Sequence, residues 1–188
     1  EEREAFQKPE LLRSDLDEVI LRMKDMGIQD VEGFDFIDKP SRISIHSALE
    51  SLQQLGALDE KGDITAVGKE MARLALRPDL SRMLIEAKHL GALPEMIDLC
   101  SMMSASRQVF IKPKNRDDPL DYDRLTRQNT LKVAGSDPLT LLNVWNKWVE
   151  SGYEKDFALD HLLNMKSLRE IGQTRLQLLK ALAVDGGG

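Results

Sequence analysis

The chain has 188 residues, of which 41% are hydrophobic and 31% are charged, and its formal net charge is −6. This composition is typical of one or two globular domains with a buried core, and it excludes a wholly disordered chain. No apolar run approaches the ~20 residues that a membrane span needs, and the single cysteine excludes an internal disulfide. The first residues carry no secretory signal, so we expect an intracellular protein, in the nucleus or cytoplasm if its source is a eukaryote.

Charge is distributed unevenly along the chain. Residues 1–38 contain 12 acidic and 5 basic side chains, whereas residues 107–132 contain 7 basic and 4 acidic ones. The overall acidity argues against a uniformly basic nucleic-acid-binding domain. The segregation predicts two surfaces with different partners, and solvated charge on both surfaces is the simpler alternative.

The first 76 residues predict a winged-helix domain. Apolar side chains recur at helical spacing in two segments, namely Leu16, Val19, Ile20 and Met23 in the first and Ile45, Ala48, Leu49, Leu52 and Leu55 in the second. Residues 57–65 predict two short strands around a turn, and Thr65 can cap a third helix that extends to about Leu74. Helix, helix, hairpin, helix is the order of a winged helix, with residues 45–55 as its recognition helix.

Residues 77–188 predict a second domain, which is a bundle of helices with no alternating strand pattern. Its helical segments are residues 80–90, 93–103, 122–133, 137–149, 157–163 and 168 to about 182. In the strongest of these, Asp137 is the expected N-cap and Pro138 the first helical residue. Its expected buried residues are Leu141, Leu142, Val144, Trp145, Trp148 and Val149. The predicted fold class is therefore mainly α.

The sequence contains no pattern for catalysis or metal binding. Residues 62–70 look like a phosphate-binding P-loop, but five residues separate the two glycines and Glu70 replaces the hydroxyl that would bind magnesium. Gly68 is expected to permit close helix packing instead. The three histidines lie far apart, and Cys100 is on an apolar helical face that is typical of a buried thiol. We therefore expect no enzymatic activity, cofactor or metal in this fragment.

A basic loop is the best candidate for a binding surface. Four cations fall within ten residues of it, together with Phe110, and such a segment suits the neutralisation of phosphates. Asn143 and Asn146 lie near Thr140 and Trp145 on the 137–149 helix, and off its buried face they could reach a nucleic-acid backbone from a rigid element, although a polar rim around a core is the commoner role. The candidate contacts are Arg107, Lys112, Lys114, Arg116, Thr140 and Asn143.

Three stretches resemble the C-terminal accessory region of DEAH/RHA-box RNA helicases. The first is residues 9–38 with FDFID at 34–38, the second is residues 48–78 with TAVGKEMA at 65–72, and the third is SDPLTLLNVWN at 136–146 with support from residues 164–178. Two positions depart from the family's pattern. A lone Pro40 follows Lys39 where two or three prolines are common, and the tripeptide at 136–138 replaces Gly-Asp-His.

The resemblance implies a winged-helix domain over residues 1–76 and a ratchet-like helical bundle over residues 77–188. In this family the region forms part of the channel for single-stranded RNA and couples movement of the RecA-like motor domains of the same chain to RNA translocation. ATP and magnesium would bind in those motor domains, so the parent protein would be the ATP-dependent RNA helicase. The stretch VFIKPK at 109–114 is similar to the family's basic loop, and its cations are the expected RNA contacts.

A second interpretation stays open. The acidic winged helix would dock a G-patch-type activator or another helicase partner, and direct RNA contact would be minor. The basic loop favours the channel component, whereas the acidic first 38 residues favour the protein-interaction module. Under either interpretation we expect a monomer that makes no membrane contact.

Overall fold

The structure is a computed structural model, which describes residues 13–105 and 108–185. The helices in these ranges are α1 (Arg13–Asp25), α2 (Arg42–Gln54), α3 (Ala66–Arg73), α4 (Pro78–Leu90), α5 (Leu93–Met103), α6 (Pro119–Thr130), α7 (Asp137–Glu150), α8 (Lys155–Asp160) and α9 (Met165–Asp185). The predicted mainly helical fold is confirmed. Over the same ranges, no helix combines the length and the apolar character that crossing a bilayer requires.

The protein forms two compact units, Glu1–Glu86 and Ala87–Gly188. The N-terminal unit contains α1, α2 and α3, the C-terminal unit contains α5 to α9, and the division falls inside α4. The predicted domain boundary after residue 76 lies just before α4 and stays a prediction.

The N-terminal unit is built on α1, which packs against both α2 and α3. Its buried side chains are Leu16, Ile20, Leu21 and Met23 from α1, Ile45, Ala48 and Leu52 from α2, and Met71 from α3. Most of the predicted core positions are therefore confirmed. Val19 is 37% exposed, because the buried arc of α1 extends from Met23 through Ile20 to Leu21 and leaves Val19 at its margin.

A tight turn occupies the place of the predicted β-hairpin. In the described part of this unit, β pairing is limited to one antiparallel bridge between Leu58 and Ile64. Asp59 Oδ1 accepts hydrogen bonds from the backbone N–H groups of Lys61 and Asp63, each at 2.9 Å. These bonds curl the chain between the bridge partners, so the pairing does not extend into a ladder. A two-stranded wing is not seen among the residues that the structure describes.

Thr65 and Gly68 join this turn to α3. Thr65 is the N-cap, since its Oγ1 accepts the N–H of Gly68 at 3.0 Å, and the same hydroxyl donates to the carbonyl oxygen of Gly56. A Cβ at position 68 would collide with the carbonyl oxygen of Ala57 and with the side chain of Ile64. The predicted role of Gly68 in close packing is confirmed.

The C-terminal unit has its core around two tryptophans of α7. Helix α5 packs on α7 and α9, and α6 packs on α8. Trp145 and Trp148 are each 4% exposed, and they share a buried cluster with Met102, Val144, Ala158, Leu163, Leu168 and Ile171. Val149 was predicted to be buried but is 39% exposed, because it lies one residue, about 100° of helix rotation, beyond Trp148.

Two helix starts in this unit differ from the prediction because of their capping residues. The N-cap of α7 is Ser136, whose hydroxyl accepts the N–H of Leu139 at 3.2 Å, so Asp137 is the first helical residue. Helix α6 begins at Pro119, earlier than predicted, since Asp118 Oδ1 accepts the N–H of Leu120 at 2.9 Å. Short polar side chains therefore decide where both helices begin.

The segment between α5 and α6 is fixed to the connection between α8 and α9. The backbone hydrogen bonds join the N–H of Ile111 to the carbonyl of Leu162 and the N–H of Asn164 to the carbonyl of Val109, each at 2.8 Å, on either side of a bridge between Phe110 and Leu163. Gln128 of α6 is 3% exposed, and its Nε2 donates to the carbonyl oxygens of Ile111 at 3.1 Å and Leu162 at 3.0 Å. One buried carboxamide thus links three separate parts of the chain.

We expect Gly68→Ala to lower the free energy of unfolding by about 1–3 kcal/mol, because the new methyl group would overpack the turn against α3. Chemical denaturation followed by circular dichroism measures this change. Gly172→Ala in α9 is the matched control, since a Cβ there would meet only Trp145 at 3.9 Å. The free energy of unfolding of that control should rise by about 0.5–1 kcal/mol, because alanine has a higher helix propensity than glycine. Equal stability of Gly68→Ala and the unmodified chain would contradict the packing argument.

We expect Gln128→Leu to lower the free energy of unfolding by about 1–3 kcal/mol, because it removes the donor that two buried carbonyl groups share. Hydrogen exchange should show faster exchange at the N–H groups of Ile111 and Asn164. Gln177→Leu, at an exposed position of α9, is the control and should change stability by less than about 0.5 kcal/mol. Unchanged exchange at both N–H groups would show that Gln128 does not hold this segment.

Candidate nucleic-acid interface

Three of the predicted cations lie together on the segment of residues 108–118, which we call the basic segment. Lys112, Lys114 and Arg116 are all exposed, and none of their side chains makes an ion pair or hydrogen bond to the described residues. Arg107 lies outside the described residues. The basic segment therefore presents three cations to solvent within five consecutive residues.

Two acidic residues that follow these cations in the sequence, Asp118 and Asp121, are engaged elsewhere. Asp118 caps α6, and Asp121 Oδ2 accepts the backbone N–H of Asn115 at 3.0 Å. Asp121 also lies 3.8 Å from Arg124, an ion pair in which both side chains are at most 19% exposed. Since these carboxylates serve the backbone and Arg124, they do not neutralise the cations of the basic segment.

The base of the basic segment is rigid. Its first residues carry the Phe110–Leu163 bridge, and Gln128 fixes the carbonyl of Ile111 immediately before Lys112. Fixing the backbone in this way places the first cation without further ordering of the chain at that point. A surface that is ordered before it binds loses less conformational entropy on binding.

Lys132 is a further cation that the sequence did not single out. Its Nζ lies 5.5 Å from the centre of the Phe110 ring, in a cation–π contact. Phe110, the ring that was expected to accompany the loop cations, therefore also contacts a lysine that follows the end of α6. Sequence spacing gave no signal for this pairing, because 22 positions separate the two residues.

Thr140 and Asn143 have structural roles inside the C-terminal unit. Thr140 is 7% exposed, and its hydroxyl accepts the N–H of Val133 at 2.8 Å and lies 3.0 Å from the carbonyl oxygen of Ser136. Asn143 Nδ2 donates to the carbonyl of Leu131 at 2.9 Å. Both side chains thus hold the turn between α6 and α7. Their contact with nucleic acid stays a prediction, and the backbone groups that they bind, at Val133 and Leu131, lie on either side of Lys132 in the sequence.

Within the described ranges, no three His, Cys, Asp or Glu side chains are grouped to hold a metal ion. Cys100 is buried and is not part of a disulfide, and its burial agrees with the sequence prediction. His46 lies in the N-terminal unit, where its Nε2 is 2.7 Å from Glu32 Oε1 on an exposed surface.

Comparison with protein families identifies both parts of the chain. The family model for the winged-helix part of the helicase-associated domain HA2 matches residues 48–76, and that for its ratchet-like part matches residues 77–141. Together the two matches cover half of the chain. HA2 domains are accessory, non-catalytic parts of helicases. The chain therefore belongs to the HA2 helicase-associated family, the region of DEAH/RHA helicases in which a winged helix is followed by a ratchet-like bundle.

Proposed function

We propose that this region forms part of the path of single-stranded RNA through a DEAH/RHA helicase, and that the basic segment contacts the RNA backbone. The observation that carries the proposal is a set of three exposed cations that have no ion-pair partner among the described residues, on a base fixed by Gln128. Family membership supports the helicase context. ATP and magnesium would be bound by the motor domains, and this region would have no ATPase activity of its own.

The chemistry of the basic segment favours backbone contact over reading of bases. Lysine and arginine side chains neutralise phosphates whatever the sequence, whereas base reading needs a set of hydrogen-bonding groups aimed at base edges. Asn115 is the one amide side chain between the cations, and its Oδ1 accepts the backbone N–H of Asp117 at 3.0 Å. We therefore infer that the surface influences how firmly RNA is held during translocation and has little sequence preference.

The rigid base suggests how the surface would act during translocation. Nucleotide-dependent movement of motor domains can shift RNA only relative to something that does not move with it. The pairing of Val109 and Ile111 with the α8–α9 connection gives the cations such a fixed support within the C-terminal unit. In this proposal the basic segment is a stationary contact past which the strand is drawn.

We expect the triple variant Lys112→Glu, Lys114→Glu, Arg116→Glu to reduce binding of a short labelled single-stranded RNA by at least tenfold at low salt. Three phosphate contacts correspond to a slope of log K against log salt of roughly −2, and the variant should lose this dependence. Fluorescence anisotropy of the 188-residue chain at several salt concentrations measures both quantities. In the parent helicase the same variant should lose RNA-stimulated unwinding and keep its basal ATP hydrolysis.

The matched control is Lys69→Glu, Lys88→Glu, Lys180→Glu, which changes the net charge equally at three exposed positions elsewhere. If this control weakens binding as much as the first variant, the effect is one of net charge and the assigned surface is wrong. Unchanged unwinding in the first variant would also refute the assignment.

A second candidate function, docking of an activator protein, is favoured by an apolar surface on the N-terminal unit. Ile37 is fully exposed and Ile43 is 80% exposed, on either side of Pro40. A neighbouring cavity of about 490 Å³ is lined by Asp30, Glu32, Gly33, Lys39, Arg42 and Ile45. Apolar side chains beside charged groups are common in protein interfaces. We propose that a G-patch-type activator would bind here.

We expect Ile37→Asp to weaken binding of a glycine-rich G-patch peptide by about tenfold, since one buried anchor in an interface contributes about 1–2 kcal/mol. Isothermal titration calorimetry measures the affinity. The melting temperature should not change, because the side chain makes no buried contact. The control is Met26→Asp, at another exposed apolar position of the same unit. If Ile37→Asp and the unmodified chain bind the peptide with equal affinity, the activator does not bind at this surface.

A further inference from the structure

The C-terminal unit carries a second feature that neither the basic segment nor the family assignment explains. It is a cavity of about 320 Å³ with an apolar floor, lined by residues that include Trp145, Trp148, Tyr153, Lys155, Arg169 and Gly172. This volume is at the lower end of the range for ligand-binding pockets, so it suits one side chain better than a large molecule. None of the described residues that line it is acidic. We call it the tryptophan pocket.

Tyr153 is held at the edge of the tryptophan pocket by an unusual backbone conformation. Its φ is +61°, directly after Gly152 with a φ of +76°, and its N–H donates to the carbonyl of Trp148 at 3.2 Å. Bulky side chains rarely occupy this left-handed region. The ring is 56% exposed and packs edge-on against Trp148, with the ring centres 5.8 Å apart. The strained turn thus directs a large, half-exposed ring onto the pocket rather than into the core.

Two cations flank this apolar surface. Lys155 and Arg169 are exposed, and neither has an ion pair or hydrogen bond with the part of the chain that the structure describes. They belong to α8 and α9, so two different helices bring positive charge to one cavity. An occupant with an apolar centre and negative charge beside it would match both properties.

The lining distinguishes between a peptide side chain and a nucleobase. Both indole rings are 4% exposed and so offer almost no open face on which a base could stack. Among the described lining residues, the polar groups are the phenol of Tyr153, the two cations and the N–H groups of the two largely buried indoles, so the only acceptor for a base edge is the phenol oxygen. An aromatic or aliphatic side chain needs no such partners.

We propose that the tryptophan pocket is a docking site for a partner protein. It would bind a peptide segment in which one aromatic or large aliphatic residue is flanked by Asp or Glu. The apolar residue enters between Tyr153 and Gly172, and the flanking carboxylates pair with Lys155 and Arg169. This site is separate in sequence from the basic segment, so it does not rest on the RNA contact proposed above.

The two tryptophans provide a direct readout, because they are the only ones in the chain and both line the pocket. The probe is a short peptide with one phenylalanine between glutamates, titrated into the 188-residue chain while tryptophan emission is recorded. We expect a saturable change in emission. A peptide with alanine for phenylalanine, and one with lysines for the glutamates, should each bind at least tenfold more weakly.

Variants of the lining test the geometry. Arg169→Glu combined with Lys155→Glu should weaken binding at least tenfold by charge repulsion, whereas Lys180→Glu, an exposed charge reversal also on α9, should have no effect. Gly172→Leu should fill the pocket and abolish binding while the melting temperature is kept or raised, since leucine is the better helix former. This second variant separates loss of the pocket from loss of the fold.

Three results would overturn the proposal. They are an unchanged tryptophan emission with the folded chain, equal binding of the peptide to the Arg169→Glu, Lys155→Glu variant, and equal binding to Gly172→Leu. A single-stranded RNA that produced the same change in emission and competed with the peptide would assign the pocket to nucleic acid instead.

Discussion

The buried carboxamide of Gln128 is the interaction on which the candidate RNA surface depends. It donates to carbonyl groups of Ile111 and Leu162, and so it joins α6, the basic segment and the α8–α9 connection in one place. A buried amide must find partners, and here the partners lie 17 and 34 residues away along the chain. Because the two carbonyls belong to different loops, their shared donor keeps the basic segment on the helical core rather than free in solvent.

In both units, short polar side chains make hydrogen bonds to the backbone of the turns that connect the helices. Asp59 and Thr65 close the turn in which a two-stranded wing was expected, and Thr140 and Asn143 hold the turn between α6 and α7. Each of these side chains satisfies backbone groups that have no helical or strand partner. Small turns fixed in this way connect helices closely without the length that a strand pair needs.

The charge distribution of the C-terminal unit follows from the same use of polar side chains. Asp118 and Asp121 are engaged by backbone N–H groups, and Lys112, Lys114 and Arg116 have no ion-pair partner among the described residues. Lys155 and Arg169 likewise have none in that part of the chain, and they lie beside an apolar cavity rather than on a loop. The unit thus has two cationic surfaces of different chemistry, one polar and one apolar. HA2 domains are accessory, non-catalytic parts of helicases.

Local sequence patterns determined the helices, the buried tryptophans and the family, because helical periodicity and capping residues act over a few positions. They misplaced Val19, Val149 and the cap of α7, since burial at the margin of a helix depends on what packs there. The three lysine and arginine positions of the basic segment were readable as a cluster of charge. Only the tertiary structure decided that Thr140 and Asn143 face backbone carbonyls and amides, that Lys132 lies over Phe110, and that Tyr153 closes on Trp148 beside Arg169. Such contacts join residues far apart in sequence or depend on the backbone angle of a single residue. A periodic sequence pattern predicts neither the distant contacts nor that angle.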